Sequence, residues 1–213
     1  GQTSSVLSAG TFNVVQTTSF RRLALAVFNG VSCDATPSST VTITVEEDRN
    51  LNIATSDADN TICSSDAITF TGQNFQAGDT FRWLLNSVPI GGATNSVYNA
   101  AAGSLPNGAE IIFEATTPGG SCVYTASVTI NVASDPIATI GTNAPGDTIC
   151  SGDSISITAS PTGTVSYSFS IGGVPANPAL VAGNVLTTTG ITTDTIVSVT
   201  VTNAAGCSDT ASL

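Results

Sequence analysis

The hexapeptide Thr61-Ile-Cys-Ser-Ser-Asp66 recurs as Thr148-Ile-Cys-Ser-Gly-Asp153, and this repetition decides the predicted fold. The cysteines of the two copies are 87 residues apart. A second kind of cysteine, preceded by Gly or Ser, recurs at intervals of 89 and 85 residues at Cys33, Cys122 and Cys207. A period of about 87 residues is too long for a solenoid unit but matches a small β-sandwich domain. We therefore expect part of a tandem array.

The period divides the chain into three units. We expect residues 1–50 to be the C-terminal half of a repeat truncated at its start, and residues 51–136 to be a complete repeat. Residues 137–213 are expected to be a further repeat whose last strand is cut short.

Local pattern predicts an all-β fold. The segment Thr40-Val-Thr-Ile-Thr-Val45 alternates hydroxyl and aliphatic side chains, which is typical of a half-buried strand. Gly- and Pro-rich turns separate six or seven such segments per repeat. No helical periodicity is sustained. We predict tandem antiparallel β-sandwiches of immunoglobulin-like (Ig-like) or PKD-like type.

Composition excludes several kinds of function. The chain has a net charge of −11, with four Arg, no Lys and no His, so nucleic acid and anionic membranes are poor partners. No stretch approaches the ~18–20 apolar residues of a membrane helix. A Ser nucleophile would lack its usual activating base, so we predict that the chain is not an enzyme.

Two further phrases carry a family resemblance. Ile149-Cys-Ser-Gly-Asp-Ser154 and Val201-Thr-Asn-Ala-Ala-Gly-Cys207 resemble the PKD-like and Ig-like repeats of large Bacteroidota cell-surface proteins, including gliding-motility adhesins of the SprB type. In the middle unit Ser65 replaces the Gly, and Thr117-Pro-Gly-Gly120 replaces the Asn-led turn. The resemblance implies an exported cell-surface protein that leaves the cell by the type IX route.

Five cysteines in an exported chain indicate a disulfide framework. We expect pairing within a repeat, Cys63 with Cys122 and Cys150 with Cys207, and a partner for Cys33 upstream of the sequence. Closing loops of this length could contribute ~4 kcal/mol. The alternative bridges adjacent repeats, Cys33 with Cys63 and Cys122 with Cys150, and leaves Cys207 free. Close Cys or His spacing for a metal or redox site is absent.

Trp83 lies about twenty residues after Cys63, as the buried Trp of antibody domains does after its first cysteine. The cysteines here fall outside strand centres, so we predict only a core aromatic, matched in the last unit by Tyr167 or Phe169. The alternative is a sugar-stacking platform made of exposed aromatic side chains, for which the candidates are Trp83, Tyr98, Tyr124 and Tyr167.

Acidic and hydroxyl residues give weaker candidates. Asp57, Asp59 and Asp66 cluster near the first junction between units, with Asp135, Asp147 and Asp153 near the second. Ca²⁺ needs several oxygen ligands, but turn Asp side chains also commonly cap backbone N–H groups, so Ca²⁺ is a possible cofactor only. Asp-(Ser/Thr)-aliphatic phrases resemble Bacteroidota O-glycosylation sites, which makes candidates of Thr148, Ser154, Thr195 and Thr210.

The sequence therefore favours a structural segment of an extracellular adhesin or stalk at the cell surface that projects a binding tip from the cell. Its expected partners are neighbouring repeats of the same chain, with surface polysaccharide or the secretion and motility machinery as further candidates. Two alternatives stay open: a carbohydrate-binding module, and a filament subunit whose edge strand near Leu213 is completed by another chain.

Overall fold

The computed structural model describes residues 14–24, 26–33, 37–120, 122–163 and 165–213; the side chains of Ser32 and Cys33 are outside this description. Twenty β-strands and two single 3-10 turns, Pro145–Asp147 and Pro178–Leu180, make up its regular structure. None of its described helices is long and apolar enough to cross a membrane. The predicted all-β class is confirmed.

Four short strands come first: β1 (Thr18–Phe20), β2 (Ala26–Phe28), β3 (Val31–Cys33) and β4 (Val41–Ile43). β1 pairs with β4 and β2 pairs with β3, both antiparallel. These strands are largely exposed, as at Phe28, which is 76% accessible.

Eight strands then form the first sandwich: β5 (Asn52–Thr55), β6 (Thr61–Cys63), β7 (Ile68–Gln73), β8 (Thr80–Leu85), β9 (Val88–Pro89), β10 (Val97–Ala100), β11 (Ala109–Thr116) and β12 (Val123–Ala133). One sheet has the order β10-β7-β5, and the other has the order β6-β12-β11-β8-β9. β6 pairs with the end of β12 in parallel, whereas the other pairs are antiparallel.

The second sandwich repeats this plan with β13 (Thr139–Thr142), β14 (Ile155–Ser160), β15 (Val165–Ile171), β16 (Val174–Pro175), β17 (Val181–Ala182), β18 (Val185–Thr188), β19 (Val197–Asn203) and β20 (Ser208–Ser212). Its sheets have the orders β13-β14-β18-β17 and β16-β15-β19-β20. Two facing sheets with this strand order are an Ig-like arrangement, so the Ig-like fold is confirmed.

The first core forms because β11 alternates strictly. Ala109, Ile111, Phe113 and Ala115 are fully buried, and the residues between them face outward. Trp83 on β8 is also fully buried, with its ring centroid 4.7 Å from that of Phe113. The prediction that Trp83 is a core aromatic is confirmed.

Antibody domains place a disulfide beside this tryptophan, between the strands equivalent to β7 and β11. Here Phe70 and Phe113 occupy those strands, and Phe70 lies 6.2 Å from Trp83 between ring centroids. The core of the first sandwich therefore contains no cysteine among its described residues, and Cys63 and Cys122 lie outside it. In the second sandwich Phe169, opposite Val199, takes the place of Trp83 in a mostly aliphatic core.

Candidate functional site

The structure joins the two sandwiches through Cys63 and Cys207, which form a disulfide. Their Cα atoms are 5.5 Å apart although 144 residues separate them in sequence. Cys63 ends β6 of the first sandwich, and Cys207 lies in the turn between β19 and β20 of the second. The bond therefore crosses the boundary between the sandwiches.

The expected pairing within each repeat, Cys63 with Cys122 and Cys150 with Cys207, is wrong, and strand geometry gives the reason. Cys63 lies opposite Ala133 at the end of β12, whereas Cys122 precedes the start of the same strand. A strand of this length at about 3.3 Å per residue separates them by about 35 Å. A disulfide needs Cα atoms within about 7 Å. The two cysteines of one sandwich therefore stand at opposite ends.

The alternative pairing, Cys33 with Cys63 and Cys122 with Cys150, is also wrong, because Cys63 is bonded to Cys207. Among the described side chains Cys122 is a half-buried free thiol and Cys150 an exposed one. The backbone of Cys33 belongs to β3, but its side chain is outside the described part of the chain.

A short connector, residues 134–138, runs between the sandwiches and is tied to the second one. The Asn203 side chain donates from Nδ2 to the carbonyl of Ser134 at 2.9 Å. The backbone N–H of Ala138 donates to Oδ2 of Asp209 at 2.8 Å. These bonds hold both ends of the connector against the turn that carries Cys207.

The same connector is tied to the first sandwich by Ser64 and Asp135. Ser64 Oγ donates to Asp135 Oδ2 at 2.5 Å, and the Ser64 N–H donates to the carbonyl of Ala133 at 2.9 Å. We use "the junction" for the connector together with Cys63, Ser64, Asn203, Cys207 and Asp209. A disulfide and hydrogen bonds on both sides restrict movement between the sandwiches.

Asp135 also lies beside the disulfide. Its carboxylate and the sulfur atoms of Cys63 and Cys207 lie within 4.8 Å of one another, the one group of three possible metal ligands in the described residues. A metal would need the thiolate forms, and both sulfurs are bonded to each other. The arrangement is suited to holding two domains together.

The connector before the first sandwich, residues 46–50, is also bound by side chains of the sandwich that follows it. The guanidinium of Arg49 pairs with Asp79 and lies 5.0 Å above the ring of Tyr124. Tyr124 Oη donates to the carbonyl of Glu47 at 2.8 Å. Desolvation, with a smaller effect of nearby Cys122, raises the pKa of the Tyr124 phenol above its ordinary value.

Asp79 is a buried carboxylate in this cluster. Burial alone would raise the pKa of Asp79, but hydrogen bonds from the Gln76 backbone N–H and the Arg49 guanidinium outweigh it. The pKa of Asp79 is therefore lowered. The Asp79–Arg49 pair fixes the chain where it enters the first sandwich.

The candidate calcium residues hold backbone turns. Asp57 Oδ1 accepts from the N–H groups of Asp59 and Thr61 at 3.3 and 3.1 Å. Asp59 Oδ1 also accepts from the Thr61 N–H, at 2.9 Å, and Asp66 Oδ2 accepts from the Cys63 N–H at 3.4 Å. Each carboxylate therefore shapes the loop around β6, the strand that presents Cys63.

The candidate glycosylation residues differ in accessibility. Thr148, Ser154 and Thr210 are exposed, whereas Thr195 is half-buried. The hydroxyl of Thr195 donates to the carbonyl of Thr193 at 2.7 Å. Three of the four residues are thus accessible to solvent, and their glycosylation stays a prediction.

The aromatic residues proposed for sugar stacking do not form an exposed row. Trp83 is buried, and half-buried Tyr98 stacks on Phe70 with ring centroids 5.9 Å apart. Tyr124 lies beneath Arg49, and Tyr167 donates to the carbonyl of Pro161 at 2.7 Å. Packing and hydrogen bonds already engage all four side chains.

Sequence reasoning placed Asp135 near this boundary but missed the roles of Ser64, Asn203 and Asp209, although the motif contains a signal for Asn203. Asn203 opens the Asn-Ala-Ala-Gly-Cys phrase, and its Oδ1 accepts from the N–H groups of Ala205 and Cys207, each at 3.0 Å. The same amide donates from Nδ2 to Ser134 across the junction. The Asn of this motif thus shapes the cysteine turn and also binds the connector.

Comparison with known proteins finds only distant similarities between structures. No protein-family model matches the chain, and no curated protein matches it. Among solved structures it is similar to the fibronectin(III)-like modules of Clostridium thermocellum CbhA, at 11% identity over 76% of this chain and 90% of that chain, with a TM-score of 0.41. It is also similar to the N-terminal eight Ig domains of Down Syndrome Cell Adhesion Molecule, at 11% identity over 91% and 34%, with a TM-score of 0.48. The mouse nectin-like molecule 4 ectodomain matches at 13% identity over 90% and 80%, with a TM-score of 0.33.

Proposed function

We propose that this chain is a structural segment of an extracellular adhesin or stalk at the cell surface, in which linked Ig-like sandwiches project a binding tip. The observation that carries the proposal is the covalent junction between consecutive sandwiches. A projecting segment must transmit position from one domain to the next, and a disulfide with a hydrogen-bonded connector limits bending at the boundary.

Chemistry supports placement outside the cell. Disulfides persist in oxidising compartments and are rare in the cytosol. The net charge of −11 keeps neighbouring copies apart by like-charge repulsion, which suits a densely displayed surface protein. The resemblance to Bacteroidota repeats supports a role in adhesion or gliding and export by the type IX route. Surface polysaccharide and the secretion or motility machinery are then the expected partners beyond neighbouring repeats.

Small-angle scattering tests the stalk. The oxidised chain should give an elongated distance distribution with a defined maximum, because the junction restrains the sandwiches. A Cys63→Ser/Cys207→Ser variant should give a broader distribution with the same secondary structure by circular dichroism. A compact particle, or identical distributions for both proteins, contradicts the proposal.

Surface location is tested separately. Antibodies raised against residues 51–213 should label intact, unpermeabilised cells of the source organism, and mild external protease should remove the label. Labelling that appears only after permeabilisation contradicts an extracellular stalk.

One observation favours a second candidate, a self-assembling filament subunit. In the first sandwich Asn131–Ala133 pair with Thr61–Cys63, but no described strand pairs with the equivalent residues 148–150. A groove lined by Thr148, Ile149 and Leu213, among others, lies at that place. A strand from another chain could occupy it. Concentration-dependent lengthening in the scattering experiment would favour the filament, and its absence would exclude it.

A further inference from the structure

The turn that carries the free thiol Cys122 is closed by the same pair of hydrogen bonds as the turn that carries the bonded Cys207, although it is one residue longer. The N–H of Cys122 donates to Thr117 Oγ1 at 3.2 Å, and the Thr117 N–H donates to the Cys122 carbonyl at 3.0 Å. In the other turn Cys207 donates to Asn203 Oδ1 at 3.0 Å, and Asn203 donates back to the Cys207 carbonyl at 2.8 Å. The two cysteines therefore occupy equivalent positions, each just before the last strand of its sandwich.

The second free thiol, Cys150, is equivalent to Cys63 in the same sense. The N–H of Asp66 donates to the carbonyl of Cys63 at 3.0 Å, and the N–H of Asp153 donates to the carbonyl of Cys150 at 3.0 Å. Each sandwich thus carries one cysteine of each kind, at opposite ends. The Cys63–Cys207 disulfide shows which kinds combine: the β6 cysteine of one sandwich and the turn cysteine of the next.

We propose that Cys122 and Cys150 each supply one cysteine to a further disulfide of the same kind, formed with a neighbouring unit of the repeat. Cys122 forms a disulfide with the β6-type cysteine of a preceding unit of the repeat, and Cys150 forms one with the turn-type cysteine of a following unit. The partner on each side is another unit of this repeat, and the array is cross-linked at every boundary. This inference does not depend on the stalk function.

The surroundings of Cys122 support its half of the proposal. Tyr124, two residues after Cys122, binds the carbonyl of Glu47 in the connector before the sandwich. Asp209, two residues after Cys207, binds the N–H of Ala138 in residues 134–138, the connector before the second sandwich. Each cysteine turn therefore holds the connector that precedes its own sandwich, where the neighbouring unit's β6 cysteine would lie.

The surroundings of Cys150 support the other half. Leu213 exchanges two backbone hydrogen bonds of 3.0 Å with Val197, which matches the pairing of Val128 with Ile111. Leu213 is thus equivalent to Val128. In the first sandwich the strand continues for five residues beyond Val128, to Ala133 beside Cys63. Five residues after Leu213 in the same geometry would therefore reach the position beside Cys150. The groove beside residues 148–150 lies on this path. A connector to a following unit would leave from there.

The chemistry is thiol oxidation. Each bond forms when two thiols lose two protons and two electrons, and a disulfide-bearing oxidant such as glutathione disulfide is reduced to two thiols in the same exchange. The exposed thiol of Cys150 is open to this exchange. Cys122 is half-buried, and its sulfur would become covered as Cys207 is, which is 2% accessible in its bond.

The proposed bond of Cys122 is tested with a chain in which residues 1–132 are followed by residues 46–213, so that residues 46–132 occur twice. Val41-Thr-Ile-Thr-Val45 matches Val128-Thr-Ile-Asn-Val132, so Val132 can be followed by Glu46 as Val45 is. The duplicated chain is oxidised in a glutathione redox buffer and cut, without reduction, before aspartates. In the parent chain this places every cysteine on its own peptide: 1–33, 59–65, 79–134, 147–152 and 194–208.

The expected result is a new link between peptides 59–65 and 79–134, alongside the link between 59–65 and 194–208. The first copy of Cys122 lies on a peptide of different mass, residues 79–132 followed by 46–47, and should keep a free thiol. If the second copy of Cys122 stays free, carries glutathione or bonds to Cys150 while the Cys63–Cys207 link forms, the proposal is overturned.

Two further proteins make the test specific. Cys63→Ser in the first copy should free the second copy's Cys122 and leave the Cys63–Cys207 link intact. Independently, residues 129–213 are duplicated after Leu213, with Ala204→Ser marking the mass of the added copy. Peptide 147–152 should then be linked to the marked peptide 194–208. A link to the unmarked peptide, or a thiol on the marked one while the Cys63–Cys207 link forms, overturns the proposal from the other end.

Discussion

Trp83 and Phe113 lie 4.7 Å apart between ring centroids, and both are fully buried where the sheets of the first sandwich meet. Phe113, with Phe70 on the facing sheet, occupies the strands that are joined by the internal disulfide of antibody domains, and both aromatic residues flank Trp83. The core of this sandwich is therefore held by aromatic packing, and its two cysteines are free to act at the ends.

Truncation of Trp83 should unfold the first sandwich readily. Trp83→Ala removes a fully buried aromatic side chain, which should cost about 3–5 kcal/mol in the free energy of unfolding. Urea denaturation of the full chain, followed by circular dichroism, measures the change. Val88→Ala on the exposed β9 is the matched control and should change stability by less than about 0.5 kcal/mol. Equal midpoints for the two variants would contradict this account of the core.

Gly72 should not tolerate a side chain. A Cβ atom at Gly72 would lie 2.3 Å from the ring of Phe113, so Gly72→Ala should cost about 1–3 kcal/mol through overpacking. Gly91→Ala is the control, because a Cβ there meets nothing within 4 Å and should be neutral. Adding Phe113→Leu to Gly72→Ala should lower the cost of the glycine change if the contact is its cause. Thermal unfolding of the parent chain, the two glycine variants, Phe113→Leu and the double variant gives the comparison.

Stability should fall in acid partly through Asp79. Its pKa is lowered in the folded state, so its contribution is present above its unfolded value of about 3.9 and is lost as the pH falls through the lower folded value. The urea midpoint of the first sandwich should therefore drop below about pH 4. Asp79→Asn should flatten this dependence and leave less stability at pH 7. A pH profile that is unchanged in the variant would argue against the role of Asp79.

Loss of the junction disulfide should expose the connector. In the Cys63→Ser/Cys207→Ser variant, a protease that cleaves before aspartate should cut the folded chain before Asp135 about tenfold faster. The reason is that the disulfide no longer opposes local opening of the connector. Time-resolved mass spectrometry of the fragment ending at Ser134, on samples that are quenched and then reduced so that the disulfide does not hold the pieces together, measures the rate. Cleavage before Asp194 serves as the control within the same chain, since that site is exposed in the second sandwich. Equal acceleration at both sites would indicate general unfolding instead.

The sequence predicted the repeat and the β class because both depend on local pattern. Hydroxyl and aliphatic alternation specifies strands, and the spacing of the cysteine phrases specifies the unit. The buried position of Trp83 followed from the same pattern. Each of these signals lies within a few residues of the feature that it predicts.

Disulfide pairing could not be predicted in this way, because it depends on which end of a sandwich each cysteine reaches. The nearest cysteine in sequence to Cys63 within its own repeat is Cys122, but β12 places these two at opposite ends. The hydrogen bonds of Ser64, Asn203 and Asp209 to the connector could not be predicted for the same reason. They join residues about 70 positions apart and leave no local pattern.

The disulfide also determines what tension can do to this protein. A force applied between residue 51 and Leu213 reaches Cys63, passes through the sulfur bridge to Cys207 and leaves along β20. Residues 64–206, which hold most of both cores, lie outside that path. Stretching can therefore lengthen only the short segments at either end. Two domains that would otherwise unravel one after the other behave as a link of nearly fixed length.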